Sequence, residues 1–179
     1  AEPTFNDPYL GYQWNLRAVE GLAALSVARG GGITVALIGS GVALDNPELT
    51  PRLVPGYNFV DNTTTPLDDH GFGTFNAGII GATANNNVGI VGVAPEVNLL
   101  PIKALRRSGD RLEITHTTVV SAVLFALDRG AKVIHIEAAW DAPSQSVADV
   151  MALARQRGAL VIAPAHRLYP AAYPGVIGV

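Results

Sequence analysis

Short apolar, β-branched runs alternate along this chain with longer segments whose apolar residues recur at helical spacing. Residues 33–38 form one such run and end in Gly39-Ser40-Gly41, which predicts a buried strand followed by a turn. Residues 53–60 predict a second strand, before the turn-rich stretch 61–66. Residues 74–82 are small and apolar and predict a buried helix. Further strands are predicted over 97–104, 132–136, 160–163 and 176–179. Helices are predicted over 113–129 and 146–157, each closed by a glycine, Gly130 and Gly158. Residues 1–30 read as an N-terminal arm and a first helix. Nearly continuous apolar strands separated by helices predict an α/β fold, a parallel β-sheet with helices on both faces. In such sheets function sits in the loops at the carboxyl ends of the strands. Those loops begin here at Gly39, Leu105, Glu137 and Pro164.

Composition narrows the function classes. The chain has 179 residues, enough for one domain with a buried core. It is 49% hydrophobic and 15% charged, which is a globular rather than a disordered composition. The net charge of −3 lacks the basic surplus of a nucleic-acid binder. No apolar run is long enough to span a bilayer. There is no cysteine, so disulfides, thiolate metal sites and cysteine nucleophiles are excluded. Ala1-Glu2-Pro3 opens like a mature end left by cleavage, which suggests an extracytoplasmic or secreted protein.

Several motifs in order carry a resemblance. Asn6-Asp7-Pro8-Tyr9 is followed by Gln13-Trp14, and Thr34 to Val42 reads as a strand into a glycine turn. Asn46-Pro47-Glu48-Leu49, Gly71-Phe72-Gly73-Thr74-Phe75-Asn76-Ala77-Gly78, Gly92-Val93-Ala94-Pro95 and Gly130-Ala131-Lys132-Val133-Ile134 follow at near-family spacing. From Asn6 to Val179 the chain resembles the subtilisin-like serine proteases, most closely their thermitase-like branch. The resemblance implies the subtilisin-like fold, missing the family's C-terminal portion, as one truncated domain over 1–179.

The same resemblance implies altered chemistry. Gly39 stands at the family's aspartate position, Phe72 at its histidine position and Arg167 at its oxyanion asparagine position. The serine-bearing stretch lies beyond the residues matched. A triad works only through its partnered groups, so the expectation is a pseudoenzyme, not an enzyme. Glu137, Ala138, Ala139 and Trp140 replace the wall of the primary specificity pocket. There Trp140 either fills the pocket or covers an apolar patch on the loop. Asp68, Asp69 and His70 read as a solvated turn. His116 and His135 read as hydrogen-bonded, semi-buried residues.

A family calcium site is implied at Asp7, Glu48 and the Asn86 side chain, with backbone carbonyls of Thr83, Val88 and Ile90. Oxygen ligands of this mix suit calcium. The alternative is a loop held by Asn86 hydrogen bonds without metal. The expected function is a binding or structural subunit of a protein assembly. A protein partner or a second copy would cover the edge left by the truncation at Val176 to Val179. The alternatives are an endopeptidase fragment completed by another chain, or a decoy for proteases or peptides.

Overall fold

The computed structural model describes residues 3–109, 111–165 and 168–179. Two short helices open it, α1 (Trp14–Ala18) and α2 (Gly21–Ala24). Five strands and three helices then build the main layers: β1 (Thr34–Gly39), α3 (Phe72–Gly81), β3 (Asn98–Lys103), α4 (His116–Asp128), β6 (Val133–Ile136), α5 (Gln145–Gln156), β7 (Leu160–Ala163) and β8 (Val176–Gly178). A two-residue strand β2 (Tyr57–Asn58) precedes β3, and a hairpin of β4 (Arg106–Ser108) and β5 (Arg111–Glu113) follows it. The sheet order is β2-β3-β1-β6-β7-β8 and every pairing in it is parallel.

Alternation along the strands sends side chains to two cores. Ala36 and Ile38 of β1, Leu100 and Ile102 of β3, and Ile134 and Ile136 of β6 face α4 and α5. There they pack with Val119, Val123, Val147 and Met151. Val35, Leu37 and Leu99 face the other way, against Ala77 of α3 and against Val42 and Leu49. The two faces are not equally covered. Beyond β1 the second face continues through Val133 and His135, then Leu160 and Ile162, then Ile177, by the register of β6, β7 and β8. Leu160, Ile177 and Val179 are 54%, 45% and 72% exposed, values that mark this half as bare sheet.

Two expectations need correction. Residues 53–60 do not form a long strand. Thr50–Arg52 is a 3-10 turn and only Tyr57–Asn58 pairs with β3. Pro55 has no N–H to give a ladder, and Gly56 lies so close to the Pro101 carbonyl that an added Cβ would stand 1.9 Å from its oxygen. The helix expected over 113–129 starts later, at His116. Thr115 caps it, its side chain accepting from the Thr118 N–H at 3.1 Å. The residues before the cap are spent on the β4–β5 hairpin, which pairs Arg106 with Glu113. The remaining helices and strands fall within two residues of the expected bounds.

Candidate functional site

The strand order reverses at β1, which lies between β3 and β6. The carboxyl ends of these three strands bring together Gly39, Lys103 and, just past β6, Glu137. The loop 66–71 and the first residues of α3 close over them. Such a crevice is where open parallel sheets place their ligands.

The structure puts a carboxylate beside the residue that lacks a side chain. A Cβ built on Gly39 would lie 1.8 Å from Oε2 of Glu137 and 2.3 Å from its carboxyl carbon. The Glu137 carboxylate therefore occupies the volume that a residue-39 side chain would take. Glu137 is 8% exposed, and the Ser40 N–H donates to its Oε2 at 3.4 Å. Its Oε1 is buried with no hydrogen bond closed to it. Burial pushes this carboxyl up to about 7. The Asn76 side chain and the Ser40 N–H oppose that rise, and the charge on Asp68 adds to it.

Asp68 is treated in the opposite way. Its burial alone would raise its pKa, but hydrogen bonds from the Thr74 hydroxyl and from the N–H groups of Gly71, His70 and Thr74 hold it at about 2. It also accepts from the Ser40 hydroxyl at 2.9 Å, and that hydroxyl accepts from the Gly73 N–H at 2.9 Å. Lys103, 2% exposed, ends β3 inside the same network. Its Nζ donates to the Ser40 carbonyl at 2.9 Å and meets Asp69 at 2.7 Å. Asp68 is thus a structural acceptor that ties the α3 entry to the β1 turn, in place of the solvated turn expected. His70 is exposed and enters only through its backbone N–H, at 3.0 Å from Asp68.

Phe72 opens α3 and is 41% exposed, so it sits at the rim rather than in the core. Arg167 lies outside the described residues. Ala138 is buried and Trp140 half-buried, and Trp140 exchanges both backbone hydrogen bonds with Tyr169, at 2.8 and 2.9 Å. The Trp140 indole lines a cavity of about 760 Å³ together with Leu105, Leu112, Glu137 and Ala139, and its ring centroid stands 5.3 Å from that of His116. The His135 Nδ1 is buried without a partner, contrary to the hydrogen-bonded histidine expected, and burial lowers its pKa.

Of the expected calcium ligands, the side chains of Asp7, Glu48 and Asn86 belong to one hydrogen-bonded loop. Asp7 and Glu48 are 5% and 9% exposed. The Asn85 N–H donates to Asp7 at 2.9 Å, and the Asn86 amide donates to Oε1 of Glu48 at 2.9 Å. The Ile90 N–H donates to Oε2 of Glu48, and the Thr83 N–H to the Glu48 carbonyl, both at 2.9 Å. Asn86 Oδ1 accepts from the Val88 N–H at 2.9 Å. Among the described residues, no salt bridge neutralises either carboxylate, and no group of three or more His, Asp or Glu side chains converges as a metal cluster. Two buried carboxylates and a side-chain amide oxygen are the right donor chemistry for a hard cation. Seating one requires the Asn86 amide to turn its oxygen towards Glu48.

Sequence reasoning missed the Gly39–Glu137 contact and the buried Lys103. The second had a visible signal, a lysine ending an apolar strand. The first had none, because residues 98 positions apart meet only across the sheet.

Comparison with known proteins gives the same frame. The sequence profile of the subtilase family matches residues 30–179. The chain is 34% identical to thermitase of Thermoactinomyces vulgaris over 98% of its own length and 64% of thermitase. It is also 34% identical to a thermophilic serine proteinase of Bacillus sp. strain AK1, over 98% of its length and 45% of that protein. Among solved structures, a protease from Pseudoalteromonas arctica PAMC 21717 superposes with a TM-score of 0.87. It covers 98% of this chain and 65% of that one at 20% identity, which speaks to the fold alone. The chain thus spans about two thirds or less of the proteins it matches.

These matches correct the expectation that the chain is not an enzyme. It matches a peptidase family along most of its length, and one relative is named a serine proteinase. The expectation was drawn from single positions such as Gly39 and Phe72, whereas the family match runs over residues 30–179.

Two outcomes follow. Gly39→Ala should destabilise the fold by about 1–3 kcal/mol, as overpacking does, and Glu137→Ala in the same chain should recover most of that loss. Additive losses in the double variant would show that the two residues do not compete for one volume. Stability should also fall as pH rises from Glu137's ordinary 4.5 to about 7. In that window the native state keeps a proton that the unfolded chain releases, a slope of up to about 1.4 kcal/mol per pH unit. His135, lowered by burial, contributes in the opposite sense. Glu137→Gln should therefore abolish the fall and leave only the shallow rise from His135, read as melting temperatures at pH 5 and pH 7.5.

Proposed function

The chain belongs to the subtilase family, and from that premise we propose that it is the N-terminal portion of a subtilisin-like serine peptidase fold. It acts as the binding half of an assembly that another polypeptide segment completes. One observation carries this reading, the bare second face of the sheet. Val133, His135, Ile162 and Ile177 continue a face whose first half is sealed by α3. A mostly apolar cavity of about 350 Å³ lies where the sealed and bare halves meet, between Ile79, Ile80 and Val93 on one side and Val133 and Ile162 on the other. Exposed apolar surface of this kind marks an interaction site, and each Å² covered is worth about 25 cal/mol. The occupant is the part of the fold that thermitase has and this chain does not span. Peptide-bond hydrolysis belongs to the completed fold in this reading. The same reading places the protein outside the cytoplasm. Among the described residues no helix is long and apolar enough to cross a membrane.

Calcium is the cofactor we propose, at Asp7, Glu48 and Asn86. Two buried carboxylates without a cationic partner among the described residues are costly, and a divalent cation would offset that cost. The backbone carbonyls of Thr83, Val88 and Ile90 would complete the oxygen set.

A polypeptide carrying the remaining third of a thermitase-like fold should bind this chain one to one. Ile162→Asp and Ile177→Asp should abolish binding while the circular dichroism spectrum is kept. A soluble monomer that binds neither that segment nor a hydrophobic dye would overturn the reading. Chelation should lower the melting temperature by several degrees, since a ligand at 100 times its Kd adds about 2.7 kcal/mol. Asp7→Ala should remove the difference, and superimposable curves with calcium and with chelator would refute the site.

A further inference from the structure

The cavity at the boundary between α3 and the bare half of the sheet has a chemistry of its own. Val35 of β1, Val133 of β6 and Ile162 of β7 line it on the sheet side, and Ile79 and Ile80 of α3 on the other. Two polar side chains line it, Asn76 and His135, and among the described residues no charged one does. Its volume of about 350 Å³ is at the small end of ligand pockets, which run from about 300 to 1,000 Å³. That space suits one ring-sized group.

An apolar hollow is not by itself a site. The second observation is the state of its two polar side chains. The Nδ1 of His135 is buried without a partner, and burial favours the neutral ring. A neutral imidazole holds one proton. On Nδ1 that proton would make a sealed donor without an acceptor, and orphaned buried N–H groups are the rarer kind. The proton therefore belongs on Nε2, the ring nitrogen that is not sealed. His135 thus offers the cavity a donor. Asn76 offers the opposite. Its amide donates to the Glu137 carboxylate, a bond that favours the charged acid, which leaves Oδ1 as an acceptor. Among the described residues nothing engages that Nε2 or that Oδ1.

We infer that this cavity receives the side chain of a tyrosine on the completing segment, with His135 donating to the phenol oxygen and Asn76 accepting from its hydroxyl. A hydroxyl both donates and accepts, so one group answers both open positions. A phenylalanine or a leucine would fill the volume and leave both unsatisfied. A tryptophan N–H can only donate. A serine or a threonine would bring the hydroxyl and leave the aliphatic walls uncovered. A carboxylate or an ammonium group would enter a space without a countercharge. Tyrosine is also among the residues that concentrate binding energy at the centre of interfaces. As the anchor of the docking face, the tyrosine rests on that reading, but the cavity is tested on this chain alone.

The experiment is titration of the chain with p-cresol and with toluene, the side chains of tyrosine and phenylalanine cut at the β-carbon, followed through the methyl resonances of Ile79, Ile80 and Ile162. A merely apolar cavity would prefer toluene, because a phenol entering it gives up its hydrogen bonds to water. The chain should instead bind p-cresol several-fold more tightly than toluene. His135→Phe should reverse that order, and Asn76→Leu should remove the preference for p-cresol. Where these variants fail to fold, the ring nitrogens of His135 in the unaltered protein decide the matter. The Nε2 resonance should shift on addition of p-cresol and stay in place on addition of toluene. Toluene binding as tightly as p-cresol, binding of neither, a preference that survives both substitutions, or an Nε2 unmoved by p-cresol would overturn the inference. Ile177→Asp, which should break docking, lies outside the cavity and should leave p-cresol binding intact. Loss of docking and loss of the phenol preference are therefore separate results.

Discussion

The polar network at the carboxyl ends of β1, β3 and β6 turns on one steric exclusion. Residue 39 and the Glu137 carboxylate compete for the same volume, with Oε2 standing 1.8 Å from where a Cβ would be. No side chain at position 39 coexists with that carboxylate in this place. The glycine is therefore a condition for the acid, not simply a loss. It lets β6 deliver a carboxylate to the carboxyl end of β1, where burial makes it a weak acid with one oxygen unsatisfied.

The polar network around it distributes charge in a defined way. Asp68 keeps its charge because four hydrogen bonds outweigh its desolvation. Lys103 is buried but fully engaged, by a carbonyl and by Asp69. Glu137 receives little of that help. One acid is spent on holding the α3 entry to the β1 turn, and the other is buried beside Gly39. The difference is one of hydrogen-bond donors, since the two acids share the same end of the sheet.

The fold has a second asymmetry, between the faces of the sheet. α4 and α5 seal one face from β3 to β7. On the other face α3 covers β1 and β3 and stops, so His135, Ile162 and Ile177 continue a surface that no helix among the described residues covers. The buried, partnerless Nδ1 of His135 sits on that surface. A chain spanning 64% of thermitase meets its relatives' architecture with one face finished and the other begun.

The sequence by itself determined the layers. Runs such as 35–38 and 160–163 are apolar at every position, the pattern of a strand with two apolar faces, and Gly130 and Gly158 end the helices between them. It also placed the crevice at Gly39, Leu105 and Glu137, because parallel strands fix which ends carry loops. It misjudged 53–60, where Pro55 breaks the ladder, and the start of α4, where Thr115 rather than Glu113 is the cap. That an acid stands beside Gly39 was decided only by the tertiary structure. A one-dimensional register says which residue stands at a position, whereas chemistry depends on which side chain fills the space. Residues 39 and 137 share a space only because β1 and β6 lie side by side. For the same reason, alternation revealed that each strand has two faces, and only packing showed which of them remains bare.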